Sequence, residues 1–319
     1  MKILFLYDGR RRAPSQRLEI DFIHRLKDFC EFYVYGYKER ELNGEDISPI
    51  EFDRKAKVKD IIKELKPDLL LLPSTPIALL FKGIKTKLNI PKVLFEVDYY
   101  AVKDKHWYKK SHIDLIVNRG IECVEEETKV KSVWLPLSAQ EQDFYTDPNS
   151  NYLDNRLKKV VFVGGGRYSL NKLYFHRQVA IRTLESMDLL DYIGHVGYER
   201  YPTILKSYLI GLSDGFPPLN TPAAKTFELM ASGTAVLSTY LRNKEVLFGE
   251  KQCYFEYNLG NVQDIAKKVL NDMDKIKETT MNALEVINKH HLHKHRIIEF
   301  YDILNALIAG REIPKKWGL

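Results

Sequence analysis

Residues 225–239, Lys225-Thr226-Phe227-Glu228-Leu229-Met230-Ala231-Ser232-Gly233-Thr234-Ala235-Val236-Leu237-Ser238-Thr239, leave few folds open. Leu229, Met230 and Ala231 favour a helix, and Gly233 can end it in the left-handed region at low cost. Ala235-Val236-Leu237 then reads as an apolar run of strand length. A helix feeding a buried strand through one tight turn predicts a helix packed beside a parallel sheet. Glu228 is placed in the first turn of that helix, at the edge where open α/β sheets bind nucleotides. A Glu in a first turn is by itself only a solvated residue favoured by the helix dipole. Here a carboxylate could accept both hydroxyls of a ribose while backbone N–H groups hold phosphate. The pattern points to a nucleotide-sugar site.

The rest of the chain alternates strand-like and helical runs, which predicts a parallel α/β architecture. Strands are expected at Ile3–Tyr7, Phe32–Tyr35, Asp68–Leu72, Val93–Phe95 and Leu115–Val117, with helices at Gln16–Phe29 and Val58–Leu65. Val133-Trp134-Leu135-Pro136 closes the first half. Residues 141–156 carry Asp147-Pro148-Asn149-Ser150-Asn151, a hinge composition. The pattern then restarts, with strands at Lys159–Val163, Tyr192–Gly194 and Leu209–Leu212, helices at Leu173–Met187 and Tyr201–Lys206, and an amphipathic region from Val262 to about Leu307. At 319 residues there is room for two domains, each with its own core.

Composition narrows the classes further. No run approaches the ~20 apolar residues of a membrane-spanning helix, and Ile3-Leu4-Phe5-Leu6 is too short for a signal peptide. Cys30, Cys123 and Cys253 are odd in number and far apart, which implies reduced thiols and a cytoplasmic setting. Through Arg156 there are 27 Lys/Arg against 26 Asp/Glu, and 22 against 17 beyond it, so the basic excess lies in the second half. That suits an anionic small ligand better than a dedicated nucleic-acid face. Two basic clusters stand in the first half: Lys82/Lys85/Lys87/Lys92, and Lys103/Lys105/Lys109/Lys110 with His106, Trp107 and Tyr108. The second mixes cations with aromatics, a combination that can grip a sugar chain, a phosphate or a nucleic acid strand.

Phe227, Glu228, Met230, Ala231, Gly233, Leu237 and Ser238 together resemble the donor-site segment of GT-B glycosyltransferases of the retaining group 1-like superfamily. The spore-maturation type is the nearest in style. Trp134-Leu135-Pro136-Leu137 followed by Phe144-Tyr145 resembles the linker into the donor domain of that family. The resemblance implies two Rossmann-like domains facing each other across a cleft: an acceptor domain over 1–140, a hinge over 141–156, a nucleotide-sugar domain over 157–300 and a tail over 301–319 packing back on the first domain. It also implies transfer of a sugar from a nucleotide-diphosphate sugar, a UDP-sugar, to an acceptor hydroxyl, without a metal or other cofactor and with retention of configuration. The acceptor would be a glycan, a glycolipid or another cell-envelope molecule, and peripheral membrane contact is compatible with it.

Site residues follow. Gly164-Gly165-Gly166-Arg167 directly follows a strand, where glycines let a backbone approach a ligand. By the resemblance, Arg167 and Lys172 neutralise the diphosphate leaving group, or Tyr174 and Arg177 take that place through the Tyr-x-x-Arg of the spore-maturation type. Lys225, Thr226, Phe227 and Glu228 form the ribose and phosphate end. The superfamily carries a glutamate eight positions before Glu228; this chain has Asn220, whose amide can bind sugar hydroxyls but supplies no charge. Asp8 and Asp98 close two first-half strands and are candidate general bases toward an acceptor hydroxyl, with Gly9 close to the donor. Arg10–Arg12 reads as a solvated loop.

His290, His291, His293 and His295 resemble a metal tract, but His291 and His295 alone lack a third ligand. Asp272-Met273-Asp274 mimics a metal motif inside a helical stretch and is set aside. Three rivals remain: a phage-type glucosyltransferase acting on a hydroxylated base in DNA, a sugar-nucleotide 2-epimerase, and a non-catalytic GT-B module supporting a partner enzyme.

Overall fold

The computed structural model describes residues 1–8, 21–37, 53, 55–74, 78–97, 99, 102–120, 124–165, 174–215 and 220–317. They form two compact units, one of Met1–Pro136 with Ile297–Leu319 and one of Leu137–Arg296.

The first unit holds six strands: β1 (Lys2–Asp8), β2 (Glu31–Tyr37), β3 (Leu69–Leu72), β4 (Lys92–Glu96), β5 (Leu115–Asn118) and β6 (Ser132–Trp134). They are parallel throughout, in the order β2-β1-β3-β4-β5-β6. β3 reads Leu-Leu-Leu-Leu and is buried along its length, as a central parallel strand covered on both faces must be. Helix α1 (Val58–Leu65) buries Val58 and Ile61 and turns its lysines outward. The last helix, His293–Ile308, gives Ile297, Phe300, Ile303 and Leu304 to this core, where Phe300 lies 5.2 Å from Phe95 and 6.0 Å from Phe22.

The chain therefore passes between units at 136/137 and 296/297 rather than within 141–156 and at 301. Residues 141–156 belong to the second unit and begin with a helical turn, Glu141–Phe144, whose Phe144 is fully buried. Their Asp/Asn/Pro content marks loop geometry, which is not the same as a boundary.

The second unit holds β7 (Leu157–Val163), α2 (Phe175–Glu185), β8 (Leu190–Ile193), α3 (Tyr201–Lys206), β9 (Tyr208–Leu212), α4 (Ala224–Ala231), β10 (Ala235–Ser238) and β11 (Phe255–Glu256). Its parallel sheet has the order β11-β10-β9-β7-β8. The amphipathic region resolves into three helices, Val262–Leu270, Met273–His290 and His293–Ile308. Gly233 ends α4 nearby with φ +63°, and a Cβ there would sit 2.7 Å from the Tyr152 ring, so both conformation and space require glycine. Arg156 fastens that turn from outside: its guanidinium donates to the Ser232 carbonyl at 2.7 Å, the Thr234 hydroxyl at 2.7 Å and the Tyr208 carbonyl at 3.1 Å.

Both basic clusters change character in the fold. Lys92 is buried and gives its ammonium to the carbonyls of Ile84 and Thr86, each at 2.9 Å, and of Ser111. Trp107 and Tyr108 are also buried; Tyr108 donates to Glu96 at 3.1 Å and stacks on Tyr99 at 6.0 Å. Those aromatics pack inward and offer no gripping face. Asp272 is the cap of helix Met273–His290, accepting the Lys275 N–H at 2.9 Å, rather than an interior residue.

Candidate functional site

The order β11-β10-β9-β7-β8 fixes where a ligand can enter. From β7 the chain steps outward to β8, then returns past β7 to β9. The loops leaving β7 and β9 diverge, which makes their carboxyl ends the switch point of the sheet. Gly164-Gly165 leave β7 there, and Ser213-Asp214-Gly215 leave β9. Gly164 has φ +124°, a conformation only glycine adopts readily.

Two cations cross this point in opposite directions. Arg177, near the start of α2, reaches to the β9 side. Its Nε lies 3.1 Å from both Asp214 oxygens and its Nη2 lies 2.7 Å from Oδ1, a bidentate pair. Both side chains are largely enclosed, at 12% and 4% exposure. The guanidinium also stacks 4.7 Å from the Tyr174 ring centre. Lys225, the second residue of α4, reaches back to β7, where its ammonium donates to the Val163 carbonyl and lies 3.6 Å from the Phe162 ring centre. Arg177 touches the same ring from 5.3 Å. Burial pushes the Lys225 ammonium down to about 7; the Arg177 charge adds to this, and Asp214 and Glu228 oppose it.

Glu228 lies one turn beyond Lys225 and is buried, with 4% exposure. Because α4 starts at Ala224, Glu228 stands in its second turn, not its first. Alanines at 223 and 224 after Pro222 let the helix begin earlier than its apolar run. The hydroxyl of Tyr201, from α3, donates to Glu228 Oε2 at 2.6 Å. Burial raises the Glu228 carboxyl, while that hydrogen bond and Lys225 pull it down. Burial and the neighbouring carboxylate hold the Tyr201 hydroxyl well above its usual range, so it stays a donor. Among the described residues Oε1 of Glu228 has no partner.

The remaining candidates separate into ligand edge and packing. Gly165 is at the edge, with the exposed His195 close above it: a Cβ on Gly165 would lie 2.8 Å from the imidazole Nε2. Asn220 is half-buried with φ +52°, and its carbonyl accepts the Arg242 N–H at 2.8 Å. Thr226 instead pins α4 to β9 through a 2.9 Å bond with the Ser213 hydroxyl. Phe227 is a core residue, 6.0 Å from Phe248 and 5.3 Å from His291. Gly9, Asp98, Gly166, Arg167 and Lys172 lie outside the described residues, as does the side chain of Asp8. Cys123 and the Arg10–Arg12 run lie outside them too.

Within the histidine tract, His291 is a packing residue. His291 is buried, with Nε2 2.6 Å from the Leu247 carbonyl and Nδ1 on the Arg296 guanidinium. Among the described residues no group of three or more His, Cys, Asp and Glu is placed to hold a metal ion. Asp214, Tyr201 and His195 were not foreseen from the sequence. Asp214 carries the one available signal, a carboxylate just past an apolar strand, the feature that marked Asp8 and Asp98.

The comparisons with known proteins fit this geometry. Residues 156–302, which contain every site residue of the second unit named above, match the family model described as glycosyl transferase-like. Over that stretch the chain is similar to glycosyl transferase-like proteins, and its two parallel sheets are those of the GT-B fold. No curated protein sequence matches it significantly. Among solved structures, Anabaena HepE in complex with UDP and glucose superposes with a TM-score of 0.69 at 11% identity, covering 96% of this chain and 100% of HepE. An α-glucosyltransferase in complex with UDP and a 13-mer DNA gives 0.60 at 12% identity, covering 95% and 99%. A putative UDP-N-acetylglucosamine 2-epimerase from Listeria monocytogenes gives 0.56 at 13% identity, covering 99% and 98%. At such identities the likeness establishes the fold, and these neighbours show one fold serving several reactions. Among the described residues no helix is long and apolar enough to cross a membrane.

Proposed function

We propose that this glycosyltransferase takes its sugar from a UDP-sugar and transfers it, with retention of configuration, to an acceptor hydroxyl of a glycan or glycolipid. The observation that carries the reading is the meeting of Arg177, Lys225 and Glu228 at one switch point, with Tyr201 holding one Glu228 oxygen and the other left open. A ribose with two vicinal hydroxyls suits the open carboxylate oxygen. A diphosphate suits the paired cations, which sit in a partly dehydrated place where opposite charge acts strongly.

In the reaction the bond from the anomeric carbon to the diphosphate oxygen breaks and a bond to the acceptor oxygen forms. Negative charge collects on the departing diphosphate, so Arg177 and Lys225 stabilise the transition state more than the ground state. The diphosphate takes the acceptor proton on the face it leaves. Asn220 holds sugar hydroxyls, and Arg167 and Lys172 add to the diphosphate clamp. Donor binding and transfer need no metal ion in this reading.

Incubation with a panel of UDP-sugars, followed by NMR with and without EDTA, tests this. The expected outcome is slow EDTA-insensitive donor hydrolysis that releases the sugar first in the anomeric form it had in the donor. Appearance of an epimerised UDP-sugar would replace transfer by epimerisation, and an inert panel with no UDP binding would overturn the reading.

A further inference from the structure

We infer that the first unit carries a docking surface for an anionic lipid bilayer, formed by residues 78–91 and the start of α1. Apolar side chains normally retreat from water, yet Leu79 and Leu80 stand side by side at 49% and 46% exposure. The segment continues through Lys82, Lys85 and Lys87, all exposed, and residues 78–91 contain no acidic residue. Lys92, the fourth lysine of the cluster in sequence, is withdrawn into the core and takes no part.

The start of α1 enlarges the patch. The Val58 N–H donates to the Lys82 carbonyl at 3.0 Å, and a Cβ on Gly83 would lie 3.7 Å from Lys57 Cβ. This sets exposed Lys57 next to residues 82–83, with exposed Lys55 and Lys59 two positions to either side of it in the chain. Six lysines face two aspartates, Asp53 and Asp60, in this stretch of the described residues. Two half-exposed leucines in a segment whose exposed charges are almost all lysine match an anionic headgroup layer with an apolar interior beneath it. Nucleic acid would use the lysines but offers the leucines nothing, and that difference decides for lipid. The patch is read from charge and exposure alone and stands whether or not the second unit binds UDP.

Sedimentation of the full chain with vesicles of phosphatidylcholine, with and without roughly 30% phosphatidylglycerol, tests the inference. Binding is expected to the anionic vesicles only. Reversing three lysine charges turns attraction to such a surface into repulsion, so Lys82→Glu/Lys85→Glu/Lys87→Glu should cut the partition coefficient by at least tenfold. Leu79→Ser/Leu80→Ser should cut it severalfold at unchanged charge. Both variants should melt as the parent does, because all five side chains are exposed. Equal binding to neutral vesicles, binding that ignores the leucines, or binding to duplex DNA without binding to vesicles would each overturn the inference.

Discussion

Titrating Lys225 perturbs the proposed diphosphate site without altering any side chain. Its ammonium is pushed to about 7, against 10.5 for an ordinary lysine, chiefly because burial strips its hydration and secondarily because Arg177 repels it. Above pH 7 the free protein loses the charge progressively, to about one molecule in ten at pH 8 and one in a hundred at pH 9. A bound diphosphate restores the charge, so binding takes up a proton. The last ionisation of a terminal phosphate lies near about 6, so the ligand keeps a constant charge through this window. The UDP dissociation constant should therefore rise about tenfold per pH unit above 7 until the pKa of the bound state is reached. Calorimetry in two buffers of different ionisation enthalpy should count nearly one proton taken up per UDP at pH 8. Lys225→Met should bind weakly at every pH and show neither effect. A dissociation constant flat from pH 7 to 9, with no buffer dependence, would refute the placing of Lys225 on the diphosphate. The same shift acts on folding with a fixed sign. Between about 7 and 10.5 the unfolded chain holds the proton that the folded chain has lost, so this group makes stability rise with pH across that window.

Two further substitutions separate the ligand edge from the packing beneath it. Tyr201→Phe removes the 2.6 Å bond to Glu228 Oε2 and should weaken UDP binding severalfold. It should also move the acidic limb of the binding profile to higher pH, because that bond lowers the Glu228 carboxyl; a profile that does not move would remove Tyr201 from its positioning role. Phe227→Ala should cost about 3–5 kcal/mol of stability by emptying the space between Phe248 and His291. Denaturant unfolding checks this, and a loss of UDP affinity with unchanged stability would return Phe227 to the ligand edge.

What the sequence made legible was local. The apolar run of β3, the Gly233 turn and the helix carrying Glu228 each follow from neighbouring residues, and the structure has all three. The alternation of strand and helix gives a parallel α/β architecture, and the step from there to GT-B came from the resemblance that this segment carries. Contacts between distant residues were not legible. Arg177 and Asp214 are 37 positions apart, and Tyr201 and Glu228 are 27 apart, so no spacing rule joins them. Charge and aromatic content also say nothing about facing, which is why Lys92, Trp107 and Tyr108 looked available and are buried. Glu228 was placed in the first turn of α4 rather than its second because an alanine extends the helix beyond the residues that its packing requires.

The claim that the second unit is a nucleotide-sugar site stands or falls on UDP titrated calorimetrically into the parent chain and into Glu228→Gln, both below pH 7. Glutamine keeps the shape and removes the charge that would accept the ribose hydroxyls. Hydrogen bonds to a charged group are worth about 1.5–3 kcal/mol, so affinity should fall by roughly 10- to 150-fold while the melting temperature holds or rises. Equal affinity in the two proteins, or no binding by the parent, would contradict the account.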